Sequence, residues 1–465
     1  MAVEKKPYTL VAGLGRSGMS IARFLNARGF HVVATDKDPL KRERGKILEK
    51  EGIDTEIGFH RFETFENAEK IITSPGIPLD MKYFQRAREK GVPVTGELDL
   101  FSRYITPPVI AVTGTNGKTT VTTMISQMLK ASGSSVFTCG NIGIPMVDYF
   151  LERDSADWIV AEISSFQLDT AEFFRPDIAV LLNISEDHLN RYENFRAYQA
   201  SKWRIFKNQT KNQIAVLNHT LIPELWEKNQ IKSDIQCFCP ESEKKLFKER
   251  QKKCTVQTSQ TNALIEKNKI ILTGSDPEII DISQTRLAGW HNRENLAAAV
   301  LAVRAAKGSV SKIETWIERF KGLSHRLEYA GMINNAACYN DSKATNCDAV
   351  IRALESFDQD IILIMGGQEK NTDFSCLGPL VKTRVKKLIA MGDSKSKIHD
   401  VLADFTDFAF ARSMGHAVET AAESAEKGTI ILFSPGCASF DMYKDYAHRG
   451  EDFMDQVKHL EQRVA

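Results

Sequence analysis

The chain predicts an α/β fold in three domains. These are an N-terminal Rossmann-like domain over residues 1–106, a central phosphate-loop domain over 107–322 and a C-terminal Rossmann-like domain over 323–465. Three observations lead there. Short apolar runs alternate with helical patterns along most of the chain, as in parallel sheets covered by helices. At 465 residues the chain is longer than one ordinary core serves, so two to four domains are expected. Polar and glycine-rich residues follow apolar runs directly, which is where open α/β sheets bind ligands.

The first strand is Thr9 to Ala12, followed by Gly13-Leu14-Gly15-Arg16-Ser17-Gly18, a helix, and a second strand from His31 to Ala34 that runs on to Asp36. This order matches the dinucleotide-binding fingerprint, in which glycines let a diphosphate approach a helix N-terminus and an acidic residue follows about 20 positions later. The same turn serves NAD, another nucleotide diphosphate, or helix–strand packing alone. Thr106-Pro107-Pro108 then breaks the pattern.

Val109 to Val112 leads into Gly114-Thr115-Asn116-Gly117-Lys118-Thr119-Thr120, and a helical pattern (Met124, Ile125, Met128, Leu129) leaves it. Strand, loop and helix in that order make a nucleoside-triphosphate site. Glycines let backbone N–H groups reach phosphate oxygens, Lys118 supplies a point charge, and Thr119 offers a hydroxyl to Mg²⁺. The loop is shorter than the general phosphate-loop form, because position 112 is Val. The central domain is therefore expected to be ATPase-like.

Further strand ends in this domain are rich in chemistry. Trp158 to Ala161 ends in Glu162, followed by Ser164-Ser165-Phe166-Gln167; Ile178 to Leu182 ends in Asn183, with Glu186-Asp187-His188 beyond. Glu162 beside a phosphate loop suits Mg²⁺, which takes oxygen ligands. His188 suits a metal or substrate contact, or a structural bond to Asp187. Phe195 to Phe206 reads as a helix, with Lys202 on the same face as Tyr198 and Phe206. An inward lysine needs a partner or a modification, unless it snorkels to solvent. Residues 224–269 are polar and lysine-rich and read as a solvated surface insertion.

In the third domain, Cys338-Tyr339-Asn340 leads to Asp341-Ser342-Lys343-Ala344-Thr345-Asn346. Ile361 to Met365 leads to Gly366-Gly367-Gln368-Glu369-Lys370, and Thr429 to Phe433 leads to Ser434-Pro435-Gly436-Cys437-Ala438-Ser439. Cations and small hydroxyl residues thus follow three strands of a domain that has no phosphate loop of its own. Such a domain suits an anionic second substrate.

Composition excludes other classes. Lys+Arg 61 against Asp+Glu 60 leaves a net charge of +1, so no general nucleic-acid surface is expected. There is no 18-residue apolar run and no signal-peptide pattern, so no membrane span is expected and a cytoplasmic location is. The eight cysteines are scattered without a CxxC pair, and the lone Cys237/Cys239 pair lacks the further ligands of a zinc site.

Taken in order, these motifs resemble the ATP-dependent Mur ligases of peptidoglycan synthesis over essentially the whole chain. The resemblance adds Ser74-Pro75-Gly76-Ile77, Gly140-Asn141-Ile142-Gly143, His291-Asn292 with Asn295, and His325-Arg326-Leu327-Glu328 to the segments above. Gly-Leu-Gly at the start, Ser-Ser-Phe-Gln-Leu, Asn-Asp-Ser-Lys-Ala-Thr-Asn and Ser-Pro-Gly-Cys-Ala-Ser-Phe-Asp resemble the branch that adds D-glutamate. The resemblance implies that ATP activates the carboxylate of UDP-N-acetylmuramoyl-L-alanine as an acyl phosphate, which the glutamate amine attacks. It implies that Gly114 to Thr120, Asn292, Asn295, Arg326 and Asp341 meet ATP. Arg16, Ser17, Asp36, Gly76, Asn141, Ser164 and His188 would lie near the UDP-sugar, and Lys343, Lys370, Ser439 and Tyr446 would cradle glutamate. Two Mg²⁺ sites are implied, from Thr119 and Glu162 and from His188 with a carbamylated Lys202. Lys118, Lys202, His188 and Lys343 would be the catalytic set. It further implies a monomer whose third domain closes on ATP. Position 190 is Asn where the family carries Asp, and Tyr446 stands where another aromatic is common. A ligase for another amino acid, folylpolyglutamate synthase, and a nucleotide sensor without turnover are the alternatives.

Overall fold

The computed structural model describes residues 7–464, apart from 142, 153–154, 188–190, 224–230, 254–260, 286, 288 and 370–371. The architecture is α/β, built on three sheets. The chain divides into two compact units, residues 1–283 with 295–316, and 284–294 with 317–465.

The first sheet comprises β1 (Thr9–Ala12), β2 (Val32–Asp36), β3 (Asp54–Ile57), β4 (Lys70–Thr73) and β5 (Val94–Gly96), in the order β3-β2-β1-β4-β5. All its pairings are parallel. The strand order reverses beside β1, which opens a crevice at the carboxyl ends of β1 and β4. There Ser74 donates its hydroxyl to the Gly13 carbonyl at 2.8 Å. A Cβ at Gly18 would lie 1.7 Å from that carbonyl oxygen, so only glycine lets the helix Arg16–Ala27 start so close to β1.

The second sheet holds β6 (Val109–Thr113), β7 (Val136–Gly140), β8 (Trp158–Glu162), β9 (Ile178–Leu181), β10 (Ile214–Asn218), β11 (Asp234–Pro240), β12 (Ala263–Ile265), β13 (Lys269–Leu272) and β14 (Glu278–Asp281). Their order is β14-β13-β12-β11-β10-β9-β6-β8-β7. Strands β6 to β12 pair in parallel, and β12, β13 and β14 form an antiparallel meander. The helix Lys118–Ala131 follows β6 and buries Val121, Met124, Ile125, Met128 and Leu129, one face at helical spacing.

The expected solvated insertion over 224–269 is corrected here. Within it β11 is a full member of the sheet, with Ile235, Cys237, Phe238 and Cys239 buried, and Phe247 of the helix Lys244–Lys253 joins the same core. The lysines that dominate its composition hid an apolar strand of period-one burial, as expected of a sheet covered on both faces.

One short helix, Glu97–Ser102, is shared by the two cores of this unit. Leu98 and Phe101 sit in the cluster of the second sheet and Leu100 in that of the first. Asp99 accepts the backbone N–H groups of Glu172 (3.0 Å) and Phe173 (2.9 Å), and Glu97 accepts that of Met146 (2.8 Å).

The third sheet runs β15 (Glu328–Ile333), β16 (Ala336–Asn340), β17 (Ile361–Gly366), β18 (Val385–Met391), β19 (Asp407–Phe410) and β20 (Ile430–Phe433), in the order β15-β16-β20-β17-β18-β19. Only β15 is antiparallel to its neighbour. Asn340, Phe433, Gly366 and Met391 therefore all end at one carboxyl edge.

Candidate active site

The loop after β6 turns on Gly114 (φ +157°) and Gly117 (φ +84°), conformations that glycine adopts without strain. A Cβ at Gly117 would stand 2.4 Å from Asn295 Oδ1, so the loop lies directly against that buried asparagine. Thr115 N–H donates to Asn183 O (3.0 Å), Asn116 N–H to Asn183 Oδ1 (2.9 Å), and Ser185 N–H to the Thr115 hydroxyl (3.0 Å). Thr119 and Thr120 follow Lys118 in the first turn of the helix.

Lys118 Nζ folds back on the carbonyls of Gly114 (2.9 Å) and Thr115 (2.8 Å). Lys202, on the helix Phe195–Trp203, donates to the same Gly114 carbonyl at 2.8 Å and lies 4.5 Å from the centre of the Tyr198 ring. Only 1% of Lys202 is exposed, so it does not snorkel. Burial, with the Lys118 charge added, pushes its ammonium well below the usual lysine range, and Asp187 and Asp169 oppose that shift.

Glu162 closes β8 and is 1% exposed. One of its carboxylate oxygens accepts from Asn141 Nδ2 at 2.8 Å; the other, Oε2, is buried without a hydrogen-bond partner among the described residues. A buried carboxylate oxygen left open beside a phosphate loop fits a hard cation such as Mg²⁺. No group of three His, Cys, Asp or Glu forms a ready metal site among the described residues, and His188 lies outside them.

At the first sheet, Asp36 accepts from Leu14 N–H (2.7 Å) and Asp38 N–H (2.9 Å), so its carboxylate ties the glycine turn to the end of β2. Arg16, exposed, and Ser17 open the following helix, and burial holds the carboxyl of Glu97 above its usual range, against the pull of the Ser17 hydroxyl. Ser164 and Gln167 form a capping box, bonded both ways. The Gly76 carbonyl accepts from Arg191 at 3.1 Å, and that guanidinium lies 4.6 Å from the Phe166 ring.

In the other unit, Asp341 follows β16, is buried, and accepts from Ser434 Oγ (3.0 Å) and Leu327 N–H (3.3 Å). Burial pushes its carboxyl up to about 7, against the pull of Ser434 and Arg326. Lys343 Nζ stands 3.5 Å over the Tyr446 ring, and Ser342 donates to the Tyr446 carbonyl at 2.8 Å. Ser439 is buried and its carbonyl accepts from Tyr443 N–H at 2.9 Å. Asn292 lies buried in the first turn of the helix Trp290–Ala305. Lys370 lies outside the described residues.

Sequence reasoning missed Arg449. Its buried guanidinium donates to Ser342 Oγ (3.1 Å), Ser342 O (2.9 Å), Cys437 O (3.0 Å) and Ala438 O (3.2 Å), joining the loops after β16 and β20. Its place one turn after Tyr446 in a helical pattern was the available signal. Arg191 and Glu97 were also missed, the first an ordinary surface residue by composition and the second a carboxylate directly after a glycine, two residues before Asp99.

Three family models cover the chain in sequence: Mur ligase MurD-like N-terminal domain over residues 7–96, Mur ligase middle domain over 112–303, and Mur ligase glutamate ligase domain over 325–437. A UDP-N-acetylmuramoylalanine–D-glutamate ligase of Desulfosudis oleivorans is 42% identical over 97% of this chain and 96% of its own length. The chain belongs to the Mur ligase family. The ligase of the same name from Koribacter versatilis is 37% identical, over 97% of both chains. Among solved structures, a pseudomurein peptide ligase type C from Methanothermus fervidus superposes with TM-score 0.60 at 18% identity, covering 98% of this Mur ligase and all of that chain. UDP-N-acetylmuramate–alanine ligase from Thermotoga maritima gives 0.57 at 18%, covering 97% and 99%. These two likenesses establish the three-domain fold of the Mur ligase.

Proposed function

We propose that this Mur ligase joins D-glutamate to the alanine carboxyl of UDP-N-acetylmuramoyl-L-alanine in peptidoglycan precursor synthesis, consuming ATP and releasing ADP and phosphate. The observation that carries the chemistry is the phosphate loop, where Lys118 and the fully buried Lys202 share the Gly114 carbonyl. The curated relatives named for this reaction support the substrate assignment.

In the reaction, a carboxylate oxygen of the alanine attacks the γ-phosphorus and ADP leaves. The glutamate amine then adds to the acyl-phosphate carbon, loses a proton, and the tetrahedral intermediate expels phosphate. Such a sequence needs positioning and charge neutralisation more than covalent help from the protein. The backbone N–H groups of Gly114 to Thr120 cradle the phosphates, and Lys118 swings from its carbonyls to them. Thr119 and Glu162 would hold one Mg²⁺, and His188 with a carbamylated Lys202 would hold a second. Bound there, the ions would neutralise charge on the transferring phosphoryl group. A lysine whose ammonium is disfavoured gives up the free amine that adds CO₂ more readily, and the carbamate turns a buried cation into an oxygen ligand.

Asn292, Asn295, Arg326 and Asp341 contact ATP, while Lys343, Lys370, Ser439 and Tyr446 contact glutamate. Arg16, Ser17, Asp36, Gly76, Asn141, Ser164 and His188 line the path of the UDP-sugar, and the protein acts as a monomer. Among the described residues no helix is long and apolar enough to cross a membrane.

The test is phosphate release from ATP with UDP-N-acetylmuramoyl-L-alanine, run in parallel with D-glutamate, L-glutamate and other amino acids. Release that depends on D-glutamate is expected. Release with another amino acid alone would assign a different ligase, and none under any condition would favour a nucleotide sensor.

A further inference from the structure

The Asp36 carboxylate, at the position that meets a ribose in dinucleotide-binding domains, is already bonded to two backbone N–H groups of its own turn. A carboxylate only accepts, so a donor to the base has to come from a neighbour at the same edge of the first sheet. β3 runs parallel to β2 with Ile57 opposite Asp36, and Gly58 N–H donates to the Asp36 carbonyl at 2.8 Å. His60 follows two residues later. Its Nδ1 lies 2.8 Å from the hydroxyl of Thr35, which is fully buried in β2.

The ring is held on two sides. Phe65 and Tyr83 meet it edge-on, with centroids at 5.3 and 5.2 Å and interplanar angles of 74° and 73°. Burial holds the imidazole below its ordinary range, against the pull of Asp36 and Glu56, so it is neutral at pH 7. Among the described residues Nε2 has no hydrogen-bond partner, and it is not a buried orphan atom, so it opens to solvent.

We propose that His60 is the residue that reads the uracil of the UDP substrate, with the Thr35 hydroxyl donating to Nδ1 and Nε2–H donating to the uracil O4. This inference rests on the reading of the first domain as the UDP-sugar site. Its chemistry follows from the tautomer. A neutral imidazole whose Nδ1 accepts must carry its proton on Nε2. Uracil presents a carbonyl oxygen at position 4, where cytosine presents an amino group that can only donate. A donor fixed at that point accepts uracil and leaves cytosine facing it N–H to N–H. The clamped ring keeps the donor in place, so a wrong base cannot be accommodated by a rotamer change. Lys37 beside it adds positive charge without choosing between the two bases.

The experiment is calorimetric titration of the full chain with UDP and with CDP. The native protein should bind UDP at least tenfold more tightly, about 1.4 kcal/mol. His60→Phe should lose most of that preference while keeping its affinity for CDP within about twofold, and His60→Gln, which restores an N–H donor, should recover part of it. Thr35→Val, which frees the tautomer, should also relax the preference and covers the case in which His60→Phe folds poorly. A native UDP-to-CDP ratio near one, a preference for CDP, or an unchanged ratio in a folded His60→Phe or Thr35→Val protein would overturn the assignment. Failure of the native protein to bind either nucleotide would instead strike at the proposed UDP-sugar site.

Discussion

Lys118 and Lys202 place their ammonium groups on one oxygen, the Gly114 carbonyl, at 2.9 and 2.8 Å. Two cations at one acceptor repel, and the more deeply buried of them is the one driven towards its neutral form. The arrangement suits a lysine destined to carry a carboxylate. Lys202→Ala should therefore lower kcat by roughly 10²-fold or more, and added bicarbonate or formate should restore part of it. An alanine variant with native turnover would end the carbamate reading.

Lys343 lies against Tyr446 at the end of β16, where a point charge can meet the side-chain carboxylate of glutamate. Lys343→Met should cost about 2 to 5 kcal/mol of glutamate binding if that pair is fully desolvated. Steady-state kinetics with each substrate varied separately will show a KM for glutamate raised far more than the KM for ATP. Equal increases would move Lys343 to the nucleotide.

Asp341 gives a pH dependence whose sign is fixed. Its folded pKa, pushed up to about 7 by burial, exceeds the unfolded value, so the folded state holds more protons between the two and stability falls as pH rises through that window. The full window, at about 1.4 kcal/mol per unit, bounds the loss at roughly 4 kcal/mol. Asp341→Asn should match the native protein in melting temperature near pH 4 and exceed it near pH 8. A gap that does not widen with pH would show that Asp341 is ionised without strain.

Asp99 ties the helix Glu97–Ser102 to the loop ahead of β9 through the N–H groups of Glu172 and Phe173. Asp99→Ala removes the buried carboxylate that both donors share, at a cost of about 1 to 3 kcal/mol in denaturant unfolding. Asp99→Asn, which keeps one acceptor oxygen, should lose less. Equal losses would mean that the packing of the side chain matters and its acceptors do not.

The legible parts of the fold were those written locally. The glycine turn before Arg16, the phosphate loop before Lys118 and the polar residues after β8, β9, β16 and β20 each follow a short apolar strand, and a single sequence displays that order. Strand β11 was illegible because lysines flank it on both sides and its burial comes from sheet neighbours far away in the chain. Lys202 was legible as inward-facing from Tyr198 and Phe206. That it shares an acceptor with Lys118, which lies 84 residues earlier, needed the fold. Arg449 and Glu97 were hidden for the same reason, since their partners Cys437, Ala438 and Met146 come from other loops.

The helix Glu97–Ser102, with Leu100 in one core and Leu98 and Phe101 in the other, has a consequence for how this protein comes apart. A six-residue helix cannot be withdrawn from one core while it stays seated in the other. Amide protection measured by hydrogen exchange should accordingly rise and fall together in β1 and β6, as one foldon. A fragment cut near Tyr104 would leave Leu98 and Phe101 bare, an aggregation hazard, so the first sheet of this ligase is not a detachable module.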